Sequence, residues 1–356
     1  MKRKIISSIL LFALFLFVAS WFYKIVFLLL IARVWRYNIR TCGLWYYRGV
    51  VIALLIALFY TMPRYRLNTS DRVQLIYQTS DAQPQHAPIH HYLVNVLLPE
   101  EEVCNLGVWG ARILEKTPIK MAVWILDEFS MEVERGNIRK LTKPYRQLNW
   151  SGNFVMSGVY SQVANMIGLE KTQAVHLIRP KNYDDSKSYP VVFFMHGWLG
   201  NWKMYQGMLK GIDDCIVVSV GTESWSGIYT KQDIKDLFTK QIPFLENMGY
   251  KVDKNNLHLI GLSNGGSASN VAYNYFSNRF KSIAFVSTGI HQTYPISSKV
   301  LLIGGQLDHS AGSLPGAYKT LKNNGTQTDI YWNKEASHFA FFIEQKEILE
   351  FLNKNI

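Results

Sequence analysis

The chain has 356 residues, of which 48% are hydrophobic and 18% charged, a composition that excludes a disordered protein. Its net charge of +12 comes largely from residues 1–62, which carry eight basic side chains and no acidic one, leaving 30 basic and 26 acidic residues elsewhere. Basic residues beside apolar segments are typical of membrane topology, so no nucleic-acid partner is predicted. Three widely spaced cysteines indicate neither a disulfide framework nor a metal site.

Two apolar segments near the N-terminus predict a membrane anchor over residues 1–62. Residues 5–32 would form a helix of about 42 Å, longer than a hydrocarbon core of roughly 30 Å, so the helix would span with tilt. Residues 49–62 reach spanning length with the preceding aromatic segment GLWYYR, which resembles an interfacial belt. Two transmembrane helices are therefore predicted. A signal peptide with the n-region KRK and a cleavage site after VAS is the alternative for the first segment.

The distribution of basic residues favours a cytoplasmic location for the rest of the chain. Six basic residues flank the two predicted spans on the side of the termini, and four lie in the loop between the spans. The positive-inside rule then places both termini in the cytoplasm. A cleaved first segment or a different number of spans would reverse this orientation. Residues 63–150 are predicted to form a membrane-proximal region of unknown role, to which no chemistry is assigned.

Residues 151–356 are predicted to form the catalytic domain, with a regular pattern from about residue 170 onwards. Continuous apolar segments predict buried strands, and amphipathic segments between them predict helices. Thr230 and Asp233 form a capping box ahead of one helix, which Pro243 is expected to kink. Strands that are apolar on both faces and alternate with helices indicate an α/β fold with a mainly parallel sheet covered on both sides. The predicted strands contain QAVHLIRP, VVFFMHG, CIVVSVG, LHLIG, SIAFVSTG, KVLLIGG and DIYWNKE, and the other helices are expected at 264–278, 315–323 and 340–354.

One strand ends in a G-x-S-x-G motif, Gly261-Leu262-Ser263-Asn264-Gly265, which is followed by a predicted helix. This context is typical of a nucleophile elbow, a sharp turn that projects a serine hydroxyl above the sheet edge. Side chains at Gly261 and Gly265 would collide where the strand and helix backbones meet. The helix would also direct N–H groups and partial positive charge at Ser263.

A nucleophilic serine needs a base, a carboxylate and an oxyanion hole, and each has a candidate. Asp308 follows the strand KVLLIGG, and His338 follows the next strand and precedes a helix. Both would lie at the carboxyl edge of the sheet, beside Ser263. Turn or surface roles are the alternatives for Asp308 and His338.

The segment His196–Asn201, HGWLGN, directly follows another strand and supplies a candidate oxyanion loop. Gly197 and Gly200 permit a tight turn with inward N–H groups. The Trp198 N–H is one predicted donor, and the N–H of Asn264 is the other. His196 is interpreted as a hydrogen-bonding brace of this loop, and an ordinary glycine turn is the alternative for the segment.

These motifs, in the order HGWLG, GLSNGG, Asp308 and His338, resemble the α/β-hydrolase superfamily, particularly its esterase-type members, over residues of about 170–356. The resemblance implies hydrolysis of an ester, thioester or amide through an acyl-serine intermediate, with no metal or organic cofactor. Only 45 residues separate Ser263 from Asp308, so a large lid before Asp308 is not expected. The first 150 residues have no recognised match.

Specificity is expected to come from loops at the carboxyl edge of the sheet. A membrane-anchored carboxylesterase acting on a small ester or acyl substrate is the first hypothesis. A serine peptidase of the same fold is the second, and a catalytically inactive scaffold for a membrane partner is the third. The candidate pocket residues are Trp202, Tyr205, Glu223, Trp225 and His291.

Overall fold

A computed structural model describes residues 72–79, 81–85, 124–141, 143, 172–198, 200–222, 224 and 227–356, with 5, 8, 9, 12 and 28–32 near the N-terminus. The chain forms two compact units, one of residues 1–66, 87–104 and 150–156 and one of residues 67–86, 105–149 and 157–356. In the first unit, the few described positions are helical. The predicted anchor over residues 1–62 lies almost entirely outside the described residues. Within the described part of the chain, no helix is both long and apolar enough to cross a membrane.

The second unit is built on a nine-stranded sheet with the order β2-β1-β3-β5-β4-β6-β7-β8-β9. Strands β5, β4, β6, β7, β8 and β9 run parallel to one another, whereas the pairs β2–β1, β1–β3 and β3–β5 at one side of the sheet are antiparallel. The prediction of a mainly parallel sheet is therefore confirmed. The strands are β1 (Val73–Thr79), β2 (Pro84–Gln85), β3 (Thr172–Ile178), β4 (Tyr189–Met195), β5 (Ile216–Val220), β6 (Val252–Leu262), β7 (Ser282–Val286), β8 (Lys299–Gly305) and β9 (Thr328–Asn333).

From β4 onwards, helices connect the strands as the sequence pattern predicts, except between β7 and β8, which a loop joins. The capping box is present, because Thr230 Oγ1 accepts from the Asp233 N–H and Asp233 Oδ2 accepts from the Thr230 N–H. A π-helical turn, Leu237–Gln241, lies directly before the segment that contains Pro243. The helices are α1 (Trp124–Glu134), α2 (Ile138–Leu141), α3 (Met204–Leu209), α4 (Lys231–Asp236), α5 (Ile242–Asn247), α6 (Gly266–Phe276), α7 (Leu314–Asn323), α8 (Ala340–Ile343) and α9 (Gln345–Asn355).

Each face of the sheet is buried under its own hydrophobic cluster. Side chains of successive residues in a strand point to opposite faces. In β4, Val191 and Phe193 accordingly enter one cluster, while Val192 and Phe194 enter the other. All four side chains are fully buried. The continuous apolar character of the central strands thus reflects a sheet that is covered on both sides.

The structure corrects the predicted domain boundary at residue 150 for two described segments. β1 pairs with β3 along its whole length, from Val73 opposite Ile178 to Thr79 opposite Thr172. Helices α1 and α2 belong to the same compact unit as the sheet. Antiparallel strands at a sheet side and short helices lack the continuous apolar run of a central parallel strand, so their sequences show mixed periodicity. Most other residues of 63–150 lie outside the described part of the chain.

Candidate active site

The G-x-S-x-G segment forms a sharp turn between β6 and α6. Ser263 has a φ of 55°, in the left-handed region that non-glycine residues rarely adopt, and it begins a single 3₁₀ turn, Ser263–Gly265, that leads into α6. A Cβ on Gly261 would lie 2.3 Å from the Gly265 carbonyl oxygen, and one on Gly265 would lie 2.2 Å from the Met195 carbonyl oxygen. The backbones therefore approach as the motif predicts. A strained turn at a serine is the geometry that exposes a nucleophile.

A chain of hydrogen bonds joins Ser263, His338 and Asp308. His338 Nε2 lies 2.8 Å from Ser263 Oγ, and His338 Nδ1 lies 3.0 Å from Asp308 Oδ1. Asp308 is 1% exposed and His338 is 7% exposed. An ionised carboxylate only accepts, so Nδ1 carries the ring proton and Nε2 is free to accept from the serine hydroxyl. The structure thus brings together the three residues that the sequence selected from three separate strand ends.

Asp308 is held in its ionised form. Burial alone would raise its pKa, but the hydrogen bond and charge of His338, together with Ser310, outweigh burial, and the pKa is lowered. Ser310 donates its N–H to Asp308 Oδ1 at 2.9 Å, and its Oγ lies 2.7 Å from the same oxygen. Ser310 Oγ also lies 3.1 Å from His338 Nδ1. This serine was not selected from the sequence, although its position two residues after Asp308 is typical of an Asx turn.

The predicted oxyanion loop lies against the serine. A Cβ on Gly197 would lie 3.2 Å from Ser263 Cβ, so the loop backbone passes directly beside the nucleophile candidate. Gly200 has a φ of 95°. Gly227, which no sequence motif singled out, packs against this loop, since a Cβ there would lie 2.5 Å from the Gly197 carbonyl oxygen. Trp198 and Asn264, the two predicted donors, belong to the segments that meet at Ser263.

His196 has the bracing geometry that the sequence suggested. Its ring is fully buried, and Nδ1 lies 2.7 Å from the Gly197 carbonyl oxygen. Burial lowers the pKa of His196 to about 4, so the ring is neutral at pH 7 and Nδ1–H donates to the carbonyl. The Tyr229 hydroxyl accepts from the His196 N–H at 3.1 Å and donates to the Val220 carbonyl at 2.8 Å. These bonds fix the start of the loop.

The candidate pocket residues have different surroundings. Tyr205 is buried and packs against Phe194 and Phe342, with ring centroids 5.1 and 6.2 Å away, so its assignment to a substrate pocket is wrong: α3 turns this ring into the core. Trp202 is partly buried against the hydrophobic cluster that contains Tyr205, Phe194 and Phe342. His291 is exposed, and its N–H donates to the side chain of Asn270 in α6. Glu223 and Trp225 lie outside the described residues.

A second carboxylate, Glu128 of α1, reaches the same loops and was not selected from the sequence. It is 4% exposed, and its oxygens accept from the backbone N–H groups of His309 and His338. Burial raises the pKa of Glu128, while these two hydrogen bonds oppose the rise. Glu128, Asp308 and His338 could geometrically hold a metal ion. Their hydrogen bonds to one another and to the backbone already account for the cluster.

Comparison with known proteins gives a family match over the segment that carries this geometry. Residues 166–338, just under half of the chain, match the family model "Esterase: Putative esterase". No curated protein matches the chain.

Solved structures similar to the chain include a thermostable esterase, the acylaminoacyl peptidase of Pyrococcus horikoshii and a ferulic acid esterase. The first is 16% identical with a TM-score of 0.40 over 51% of this chain and 58% of its own. The second is 16% identical with a TM-score of 0.41 over 52% of this chain and 40% of its own. The third is 15% identical with a TM-score of 0.43 over 53% of this chain and 94% of its own. This chain therefore spans less than two thirds of the first two.

The family match and the strand order agree with the α/β-hydrolase resemblance of the motifs HGWLG and GLSNGG. The matched segment begins just before β3 and ends at His338, so it includes the elbow, the oxyanion loop and Asp308. Residues 166–338 of this chain, which carry Ser263, Asp308 and His338, therefore match an esterase family model.

Proposed function

We propose that this chain is a membrane-anchored carboxylesterase that acts through an acyl-serine intermediate. The observation that carries the proposal is the hydrogen-bonded chain from Ser263 through His338 to Asp308, with Ser263 on a left-handed turn. The esterase family match over residues 166–338 supports it. A nucleophile bonded to a base that is itself oriented by a third group is the recurring arrangement of serine hydrolases.

In the acylation step, Ser263 Oγ attacks the carbonyl carbon of the ester while His338 Nε2 takes the hydroxyl proton. Asp308 holds the ring in the required tautomer and stabilises the imidazolium that forms. The lowered pKa of Asp308 keeps this carboxylate ionised at neutral pH. The tetrahedral intermediate collapses when His338 gives its proton to the departing alcohol, which leaves an acyl group on Ser263.

The negative oxygen of the tetrahedral intermediate is assigned to the N–H groups of Trp198 and Asn264. The close contact of Gly197 with Ser263 supports this assignment, because it brings the loop backbone beside the reacting atom. Removing one such donor typically costs roughly 10²- to 10³-fold in rate. In deacylation, His338 activates a water molecule that releases the acid and restores Ser263. This mechanism requires no cofactor.

Membrane attachment is proposed from the apolar sequences of residues 5–32 and 49–62. The excess of basic residues on the side of the termini supports a cytoplasmic catalytic domain. Resistance of the full chain to alkaline carbonate extraction from membranes tests the anchor. Protease accessibility of the C-terminus in intact cells and in permeabilised cells tests the side of the bilayer.

Paired substrates separate an esterase from a peptidase. The full chain is expected to hydrolyse short p-nitrophenyl esters, with little activity on peptide anilides, and activity is expected to disappear in Ser263→Ala. Faster cleavage of the anilides would replace the carboxylesterase with a peptidase of the same fold. No turnover of either class, together with no reaction with a fluorophosphonate probe, would support an inactive scaffold.

A further inference from the structure

Glu128 lies at the meeting point of the two loops that carry the base and its carboxylate. Its Oε1 accepts from the His309 N–H at 3.1 Å, and its Oε2 accepts from the His338 N–H at 2.5 Å. These amides belong to the residue after Asp308 and to the base itself, 181 and 210 residues further along the chain. One carboxylate therefore links both loops directly.

Further contacts fix α1 against the loop that carries His338. The Phe129 and Phe339 rings pack with centroids 5.3 Å apart. Arg135 Nη1 donates to the Glu335 carbonyl oxygen at 2.7 Å. Together with the Glu128 bond, these contacts join the helix to the segment 335–339 through a ring pair, a charged donor and a charged acceptor. Charged hydrogen bonds of this kind are shorter and stronger than neutral ones.

The Glu128 side chain also lies close to the base. An oxygen of Glu128, an oxygen of Asp308 and a ring nitrogen of His338 all lie within 4.8 Å of one another. An imidazolium formed during acylation would thus face two buried carboxylates. Charges in a buried setting interact more strongly than in water, so an ionised Glu128 stabilises the protonated base. Helix α1 lies before residue 166, where the family match begins.

We propose that Glu128 is a positioning residue of this active site. Its carboxylate fixes the Asp308 loop and the His338 loop relative to each other, so that His338 bridges Asp308 and Ser263. This inference rests on the proposed function. Because the backbone amides are the contacts, loss of the carboxylate moves the base without removing any group of the Ser263–His338–Asp308 chain. A displaced base lowers kcat more than it raises KM, since the substrate-binding surface is unchanged.

The test compares Glu128→Gln with the control Glu134→Gln, the same substitution on the same helix, in the full chain. Glu134 is the last residue of α1 and is exposed, whereas Glu128 is buried against the two loops. Glu128→Gln keeps the shape of the side chain, removes its charge and leaves only one acceptor oxygen for two amides. We expect kcat on p-nitrophenyl acetate to fall about tenfold in Glu128→Gln, with KM within about twofold. In Glu134→Gln, kcat is expected to stay within about twofold of wild type.

Hydrogen exchange of the two loops tests the same proposal without depending on catalysis. Hydrogen exchange of peptides covering 305–312 and 333–340 is expected to accelerate in Glu128→Gln and not in Glu134→Gln. Equal kcat in the two variants, or unchanged exchange in both peptides, would overturn the positioning role. A wild-type Ser263 that does not react with a fluorophosphonate would instead overturn the proposed function, and the kinetic role would end with it.

Discussion

The tight approach at the elbow predicts that Gly265→Ala damages both stability and reactivity. A Cβ at this position would lie 2.2 Å from the Met195 carbonyl oxygen and 2.6 Å from that of His196. Both oxygens belong to the backbone at the end of β4, where Met195 pairs with Gly261 of β6, so neither can rotate away. The turn that carries Gly265 would have to move about 1 Å away from the end of β4 to restore an ordinary van der Waals contact.

The expected loss of unfolding free energy follows from this displacement. Overpacking a core costs about 1–3 kcal/mol, and more when backbone must move, so Gly265→Ala is expected to lose about 3 kcal/mol of unfolding free energy. In a domain of this size that loss corresponds to a decrease in Tm of roughly 6–12 °C. The shift also moves the oxyanion loop relative to Ser263, and a misplacement of about 1 Å lowers reactivity roughly 10²-fold.

Gly316→Ala is the matched control. Gly316 lies in α7, where an added Cβ would have no atom within 4 Å, and alanine stabilises a helix by up to about 1 kcal/mol relative to glycine. Thermal unfolding followed by circular dichroism measures stability, and the rate of labelling by a fluorophosphonate measures the reactivity of Ser263. If Gly265→Ala matched Gly316→Ala in both Tm and labelling rate, the steric reasoning at the elbow would be wrong.

Three further predictions concern buried titratable groups. Asp308→Asn is expected to lower kcat on p-nitrophenyl acetate by roughly 10⁴-fold, because His338 loses the acceptor that sets its tautomer; a loss below about tenfold would contradict that role. Burial lowers the pKa of His196 and of His258 to about 4, so both are neutral in the folded protein while the unfolded chain protonates them below about pH 6.5. Their contribution to the free energy of unfolding is complete above pH 6.5, and about 3 kcal/mol for each histidine is lost as the pH falls towards 4. Tm is therefore expected to fall over this range, and a Tm that does not change with pH would contradict the prediction. Burial raises the pKa of the Cys215 thiol to about 12, so iodoacetamide at pH 8 is expected to label it only after unfolding, as peptide mapping can show.

The elbow could be predicted from sequence because its constraints are local. A serine between glycines, after a continuous apolar segment, leaves few alternatives to a tight turn, and the collisions at Gly261 and Gly265 have the predicted cause. Asp308 and His338 followed from a second regularity, since the carboxyl ends of parallel strands meet at one edge of the sheet. These inferences needed only strand order and residue chemistry.

The contacts of Glu128 could not be predicted in this way. They join a helix to loops 181 and 210 residues away, and no local pattern in residues 63–150 encodes that distance. Tyr205 shows a different limit. A tyrosine in a loop near a predicted site suits a pocket and a core equally well, and only the packing of α3 on Phe194 decides between them.

Reaction of the full chain with a fluorophosphonate probe, followed by intact mass and peptide mapping, tests the central claim most directly. Wild type is expected to gain one adduct at Ser263, Ser263→Ala is expected to gain none, and His338→Ala is expected to react at least roughly 10³-fold more slowly. A wild-type protein that stays unlabelled, or a His338→Ala variant that reacts at the wild-type rate, would contradict proton transfer from Ser263 to His338.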